Sequence, residues 1–191
     1  MAVTSTMLEL GTKMTEFTLK DARGEVHSSE ALASAKAVLI AFWCNHCPYV
    51  IHLKPAFAEM TRRYKDQGLM TVAINANDAD YKPADGPEGM LADMAEFKYS
   101  FPYLIDADQA LAKTFRAVCT PDFYLFDGDG RLAYRGRFDA STPRNDLPLT
   151  GEDIESAIKA VLAGGEVSGE QQPSMGCSIK WKPGNAPDYI G

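Results

Sequence analysis

The chain has 191 residues, of which 46% are hydrophobic and 24% are charged, and its net charge is −7. This length suits one domain whose core needs neither a disulfide nor a metal for stability. The acidic charge, without any cluster of Lys and Arg, argues against binding to nucleic acid or anionic membranes, and the longest apolar run is too short to span a bilayer.

The N-terminal segment, MAVTSTMLELGTKMTEF, contains neither a basic stretch nor a long apolar one. We therefore expect no secretory signal and a cytoplasmic location. Two short alternating runs then flank the residues DARGE, a pattern typical of a β-hairpin. The next run, Lys36 to Trp43 (KAVLIAFW), is almost continuously apolar, which predicts a strand buried on both faces.

Apolar residues recur at helical spacing from Pro48 to about Gln67, where Phe57, Met60 and Tyr64 would share one face. A second apolar strand is predicted over Leu69 to Asn77, followed by a loop with two prolines and two glycines. The next predicted elements are a helix (MLADMAEFKYS), a short strand (PYLID) and a helix (DADQALAKTFRA) capped by Asp106 or Asp108.

The residues DGDG between two apolar runs predict a second hairpin. The segment TGEDIESAIKAVLAGG predicts a helix with Ile154, Ile158, Val161 and Leu162 on one face. This order of elements indicates an α/β fold with a mixed central sheet flanked by helices. We assign residues 1–165 to one domain and 166–191 to an extended C-terminal tail packed on it, with anchors at Cys177, Ile179, Trp181 and Tyr189.

Two of the four cysteines, Cys44 and Cys47, lie where the first buried strand meets the first helix. Backbone amides and the helix dipole at such a junction stabilise a thiolate, and this spacing allows a small-ring disulfide. The N-terminal cysteine of such a pair is normally the nucleophile, so we expect Cys44 to attack and Cys47 to resolve the mixed disulfide.

The neighbours of the two cysteines have candidate supporting roles. His46 favours the thiolate electrostatically when it is protonated, and Asn45 can donate hydrogen bonds. Trp43 either offers a flat apolar surface to a substrate polypeptide or packs in the core. Pro48 follows the second cysteine directly.

The motif FWCNHC after a buried strand, with CTPDFYLFD downstream, resembles the thioredoxin-like superfamily. The chain is most similar to its redoxin branch, which joins peroxiredoxins with ResA/TlpA-like thiol-disulfide oxidoreductases, and the resemblance covers Met14 to Ala163. It implies a thioredoxin-like fold and a redox-active disulfide with no other cofactor. It also implies that the Thr120–Pro121 bond is cis and lies opposite the cysteine pair, where exposed backbone pairs with an extended substrate.

The resemblance also indicates where this chain departs from a peroxiredoxin, which has the pattern P-x-x-x-T-x-x-C. Cys47 falls at the peroxidatic position, but Cys44 replaces the Thr and Ile40 replaces the Pro. A thiol-disulfide oxidoreductase is therefore the leading hypothesis. An antioxidant peroxiredoxin-like peroxidase, in which Cys47 reacts with peroxide, is the alternative.

The other two cysteines are possible auxiliary thiols. Cys119 is either a third redox thiol or, the interpretation we favour, a small buried hydrophobic residue. Cys177 either resolves a disulfide at the site or only packs. Expected partners are thiol or disulfide proteins and a thioredoxin- or glutathione-type reductant, with the protein a monomer or homodimer.

A metal-binding module and a binding module without turnover are both less favoured alternatives. The ligands of the metal-binding module would be Cys44, His46, Cys47 and His52. A single CxxC supplies only two ligands, and no second pair completes a tetrahedral zinc site. We therefore expect no metal cofactor.

Overall fold

The computed structural model describes residues 2–190. In chain order the strands are β1 (Ala2–Thr4), β2 (Thr18–Asp21), β3 (Val26–Ser28), β4 (Ala37–Phe42), β5 (Leu69–Asn75), β6 (Tyr103–Ile105), β7 (Cys119–Thr120), β8 (Asp122–Asp127), β9 (Leu132–Gly136) and β10 (Met175–Ser178). The helices are α1 (Pro48–Lys65), α2 (Pro87–Phe97), α3 (Ala110–Thr114) and α4 (Glu152–Leu162). Both predicted hairpins are confirmed, as the pairs β2–β3 and β8–β9.

Seven strands form the central sheet, in the order β3-β2-β6-β5-β4-β8-β9. β4 lies inside this sheet, parallel to β5 and antiparallel to β8, and all six of its residues are buried. Its side chains enter two hydrophobic clusters alternately, as with Leu39 and Ile40. The first cluster includes residues of α1, α2 and α4, and the second includes residues of α3, so helices cover both faces. The predicted mixed sheet between helices is confirmed.

The helices agree with the apolar periodicity except at α3. In α1 the residues Phe57, Met60 and Tyr64 are buried as expected. The predicted third helix is only five residues long, because the backbone is left-handed at Gln109 (φ 62°) before it and at Arg116 (φ 52°) after it. Within residues 2–190, no helix has both the length and the apolar character that a membrane crossing requires.

The C-terminal tail contributes the middle strand of a second, three-stranded sheet. β10 pairs antiparallel with β1 on one side and with β7 on the other. Beyond β10, Ile179 is buried in the second hydrophobic cluster, where Trp181 packs against it, and the Tyr189 ring stacks under the Arg116 guanidinium. This arrangement brings the tail to the carboxyl end of β4, where the two central cysteines lie.

Candidate active site

The two central cysteines lie in the turn between β4 and α1. α1 begins at Pro48, a residue suited to the first helical position because its missing N–H would have no partner there. Cys47 is thus the residue directly before the helix, and Cys44 lies in the preceding turn. The predicted position of the pair, where the first buried strand meets the first helix, is therefore confirmed. Neither cysteine has any exposed surface.

Thr120 contacts both cysteines. The Thr120–Pro121 peptide bond is cis, the isomer predicted from the sequence, and it faces the turn. The Thr120 hydroxyl lies 3.1 Å from the Cys44 Sγ, and the protonated Cys47 thiol donates to the Thr120 carbonyl oxygen over 3.1 Å. Thr120 follows Cys44 by 76 positions and Cys47 by 73 positions in sequence, and the fold brings these three residues into one site.

The pKa values of Cys44 and Cys47 are shifted in opposite directions. Hydrogen bonds to the Cys47 sulfur, above all from Cys44 and then from Cys177 and the Val50 amide, outweigh burial and lower the Cys47 pKa to about 5. The bond from Cys47 to the Thr120 carbonyl is made only by the protonated thiol. Burial, the hydrogen bond to Cys47 and the charge of Asp85 raise the Cys44 pKa well above its usual value. The thiolate therefore forms on Cys47.

This difference predicts the pH dependence of the reduced protein. Thiolate ultraviolet absorbance should rise with a midpoint near pH 5 in the wild type and lose that step in Cys47→Ser. The Cys47 pKa in the folded protein lies below the ordinary thiol value of about 8.5. Between pH 5 and about pH 8.5 the unfolded protein therefore binds a proton at Cys47 that the folded protein does not. The stability contributed by Cys47 is thus fully present above about pH 8.5 and is lost as the pH falls toward 5. Urea unfolding of both proteins across this window measures it, and a pH-independent difference would contradict the assignment.

His46 is held by a buried carboxylate. Its ring Nδ1 lies 2.6 Å from Asp85 Oδ2, and its backbone N–H donates to Asp85 Oδ1 over 3.2 Å. The negative charge of Asp85 offsets the positive charge that a protonated His46 ring would carry. This contact therefore fits a positioning role for His46 rather than the predicted electrostatic role. Asp85 has no exposed side-chain surface, whereas 20% of the His46 side chain is exposed, so the pairing is buried on the carboxylate side.

Asn45 connects the turn to its surroundings through both ends of its amide. Its backbone N–H donates to Asp85 Oδ1 over 2.8 Å, and its side-chain amide donates to the Ala84 carbonyl over 2.7 Å, as expected for a donor. The Tyr103 hydroxyl donates to its Oδ1, and the ammonium of buried Lys54 donates to its carbonyl. Four hydrogen bonds at Asn45 therefore hold the turn to its surroundings.

Trp43 belongs to the core and not to a substrate-binding surface. It has no exposed surface, its ring stacks on Phe57 at 4.8 Å, and its Nε1 donates to the Tyr99 hydroxyl over 3.3 Å. The packing interpretation is thus confirmed, and a role as a substrate platform is wrong. Pro48, in contrast, is exposed beside the turn.

The other cysteines differ in their access to the site. Cys119 is fully buried, and burial raises its pKa well above the usual value, so it behaves as the buried neutral thiol that we favoured. Cys177 is partly exposed and packs against the cluster that contains Cys44 and Cys47; burial, followed by hydrogen bonding with Cys47, raises its pKa to about 11. The structure therefore brings together three thiols, those of Cys44, Cys47 and Cys177.

The proposed metal ligands do not come together as a set. Of the four residues considered, Cys44 and His46 lie close together, joined by Asp85, with ligand atoms within 4.8 Å of one another. The His46 and Asp85 atoms already share a 2.6 Å hydrogen bond, which leaves no room for an ion between them. His52 bonds instead to the Ser141 hydroxyl over 3.0 Å. The four ligands considered for a metal module therefore do not form one site, and the absence of a metal cofactor stays a prediction.

Several residues that support the site were missed from the sequence. They surround the turn as hydrogen-bond partners or as their supports, and they are Lys54, Asn75, Asn77, Asp85 and Tyr103. One signal was present: β4 and β5 are parallel neighbours, so the polar residues that follow their carboxyl ends meet at one edge of the sheet. The loop after β5 contains Asp85.

Solved structures with high similarity cover nearly the whole chain. An uncharacterized conserved protein from Geobacillus kaustophilus is 46% identical, with a TM-score of 0.92 over 95% of this chain and 97% of that one. A hypothetical protein, SMc02350, from Sinorhizobium meliloti 1021 is 42% identical, with a TM-score of 0.93 over 95% and 99%.

A curated relative has a functional name. The thiol-disulfide oxidoreductase ResA of Geobacillus kaustophilus is 25% identical over 157 residues, which are 82% of this chain and 80% of that protein. Together with the strand order, these similarities confirm the thioredoxin-like fold and its redoxin branch. Residues 10–135, more than half of the chain, match the AhpC/TSA family, and the chain belongs to this family.

Proposed function

We propose that the protein is a thiol-disulfide oxidoreductase in which Cys47 is the nucleophile and Cys44 the resolving thiol. One observation supports this assignment above all: the Cys47 sulfur, next to the start of α1, accepts hydrogen bonds that lower its pKa to about 5. These roles are the reverse of those expected from the order of the cysteines.

The reaction proceeds in two exchanges. The Cys47 thiolate attacks one sulfur of a substrate disulfide, whose S–S bond breaks and whose other sulfur leaves with the electron pair and takes up a proton. Cys44 then loses its proton and attacks the Cys47 sulfur, which releases the second substrate thiol. The substrate has gained two electrons, and the protein holds a Cys44–Cys47 disulfide.

The substrates are thiol or disulfide proteins, a proposal supported by the similarity to relatives named thiol-disulfide oxidoreductases. Either one dithiol of the thioredoxin type or two molecules of a monothiol such as glutathione would restore the reduced protein, and the redox-active disulfide would be the only redox group. The cytoplasmic location, and a monomer or homodimer, remain predictions from the sequence.

A redox titration tests the proposal. The protein is equilibrated in glutathione buffers of graded potential, quenched with acid, alkylated and mapped by mass spectrometry. A reversible Cys44–Cys47 disulfide should form and disappear with two-electron stoichiometry. If Cys47 forms no disulfide at any physiological potential, the proposed function is wrong.

The peroxidase alternative is less favoured, although Cys47 has the acidity that peroxide chemistry needs. The Thr position holds Cys44, whose sulfur is itself buried against Thr120, and the Pro position is Ile40 in the middle of β4. We expect peroxide to react with Cys47 no faster than with a free thiol of matched pKa, as measured by stopped-flow consumption.

A further inference from the structure

The backbone beside Pro121, which we expected to be open for an extended substrate, is already paired. β10 lies antiparallel to β7, with Cys177 opposite Thr120 and Ser178 opposite Cys119. A substrate strand that added to β7 would need the same N–H and C=O groups. β10 and a substrate strand therefore exclude one another at this edge.

The fit of β10 against this edge depends on a glycine. A Cβ atom at Gly176 would lie 2.0 Å from the Thr120 carbonyl oxygen and 2.5 Å from its carbon. Such distances do not occur between real side chains and backbone, so only glycine allows β10 to approach so closely. The next residue, Cys177, is thereby brought to the cysteine pair.

Cys177 pairs with Thr120, which contacts both sulfurs, and it packs against the buried cluster that contains Cys44 and Cys47. Donation from its thiol is one cause of the lowered Cys47 pKa, and neither Cys47 nor Cys44 retains any exposed surface. Cys177 itself is partly exposed. The described state therefore presents one internal thiol to the nucleophile and closes the site to all other partners.

We propose that residues 174–178, which we call the strap, occupy the position of a substrate strand at the β7 edge. In this proposal Cys177 is a third redox thiol that forms a disulfide with Cys47. This inference rests on the proposed function and adds a residue and a closed state to it. The strap would leave β7 whenever a partner disulfide engages Cys47, and it would return after the exchange.

The exchange needs no external oxidant. In the oxidised protein the Cys177 thiol loses its proton and attacks Cys47 Sγ, so that the Cys44–Cys47 bond breaks and the Cys47–Cys177 bond forms. Cys44 leaves with the electron pair and takes up a proton, and the total number of disulfides is unchanged. The new bond fastens the strap over the site until a reductant opens it.

A trapping experiment tests the third thiol. Reduced Cys44→Ser and Cys44→Ser/Cys177→Ser proteins are treated with glutathione disulfide, quenched with acid and analysed by intact mass and peptide mapping. The single variant should form an intramolecular Cys47–Cys177 disulfide without retained glutathione, whereas the double variant should keep one glutathione on Cys47. Retained glutathione on Cys47 in the single variant would overturn the inference.

This outcome is separable from failure of the proposed function. If wild-type protein forms a reversible Cys44–Cys47 disulfide while the single variant keeps its glutathione, only the role of Cys177 is wrong. If Cys47 forms no disulfide with any partner, the proposed function itself fails.

A second experiment tests the covering of the site. In reduced Gly176→Ala the new Cβ prevents β10 from pairing, so iodoacetamide should alkylate Cys47 roughly tenfold faster or more than in wild type. Gly169→Ala is the matched control in the same tail, because a Cβ there meets nothing within 4 Å. Equal rates in the two folded variants would overturn the covering role, and if Gly176→Ala does not fold, the trapping experiment alone decides.

Discussion

Cys47→Ser should lower the rate of the first thiol-disulfide exchange at least about a thousandfold, whereas Cys44→Ser should retain it. The reason is that the acidic thiol is Cys47, while the Cys44 thiol stays protonated at neutral pH. A serine at position 44 still has a hydroxyl that can donate to the Cys47 sulfur. Single-turnover reaction with a small aromatic disulfide measures the effect.

Two further variants sharpen this test. Cys44→Ala removes the donor altogether and should raise the Cys47 pKa by roughly one to two units. Cys119→Ala is the matched control, because Cys119 is a buried thiol next to Pro121 that forms no hydrogen bond to the pair. If Cys44→Ser and not Cys47→Ser abolished the first exchange, the order of attack would be the one expected from the sequence.

Asp85→Ala should cost about 3–5 kcal/mol of the free energy of unfolding, the largest stability effect that we expect of a polar substitution here. The buried carboxylate accepts from the backbone N–H groups of Asn45 and His46, from the His46 ring and from the Asn77 amide. Removing it leaves all these donors without their partner, and the turn that carries both cysteines loses its support.

Urea unfolding of the reduced proteins measures this cost, with Asp80→Ala as the control. Asp80 lies in the same loop but is exposed, so its substitution should change the free energy of unfolding by less than about 0.5 kcal/mol. Asp85→Asn keeps one acceptor oxygen and should fall between the two. Equal stability of Asp85→Ala and Asp80→Ala would show that the carboxylate is not structurally important.

The sequence predicts those parts of the fold that depend on local pattern. β4 and α1 were predictable because six buried residues and a three-to-four spacing are properties of neighbouring residues. The order of attack was not predictable in this way, because it depends on the burial of Cys44 and on hydrogen-bond donors to Cys47, one of which, Cys177, is distant in sequence.

Long-range partners were also beyond local reasoning. Asp85 lies 39 residues from His46 in sequence and becomes its neighbour only through the parallel pairing of β4 with β5. β10 contains a Gly-Cys-Ser run with little strand propensity, and it is extended because β1 and β7 supply its hydrogen bonds. Resemblance to the redoxin branch indicated the cis bond at Pro121, but not that the tail pairs beside it.

Both ends of the strap are fixed to the domain. Upstream, the Ser174 carbonyl accepts from the Ser5 N–H, and the Ser174 hydroxyl donates to the Gly136 carbonyl. Downstream, the Lys180 N–H donates to Asn77, the residue that also bonds Asp85. Only two residue pairs join β10 to β7 between these attachments.

A segment tethered at both ends competes with any partner as if it were present at roughly millimolar concentration. A substrate at a lower concentration would have to bind the β7 edge more tightly than the strap does. Its apparent affinity would equal its intrinsic affinity multiplied by the fraction of molecules in which the strap is open. Selectivity would then come from competition between the substrate and the strap. Only substrates that bind the β7 edge more favourably than the strap does would bring their disulfide to Cys47.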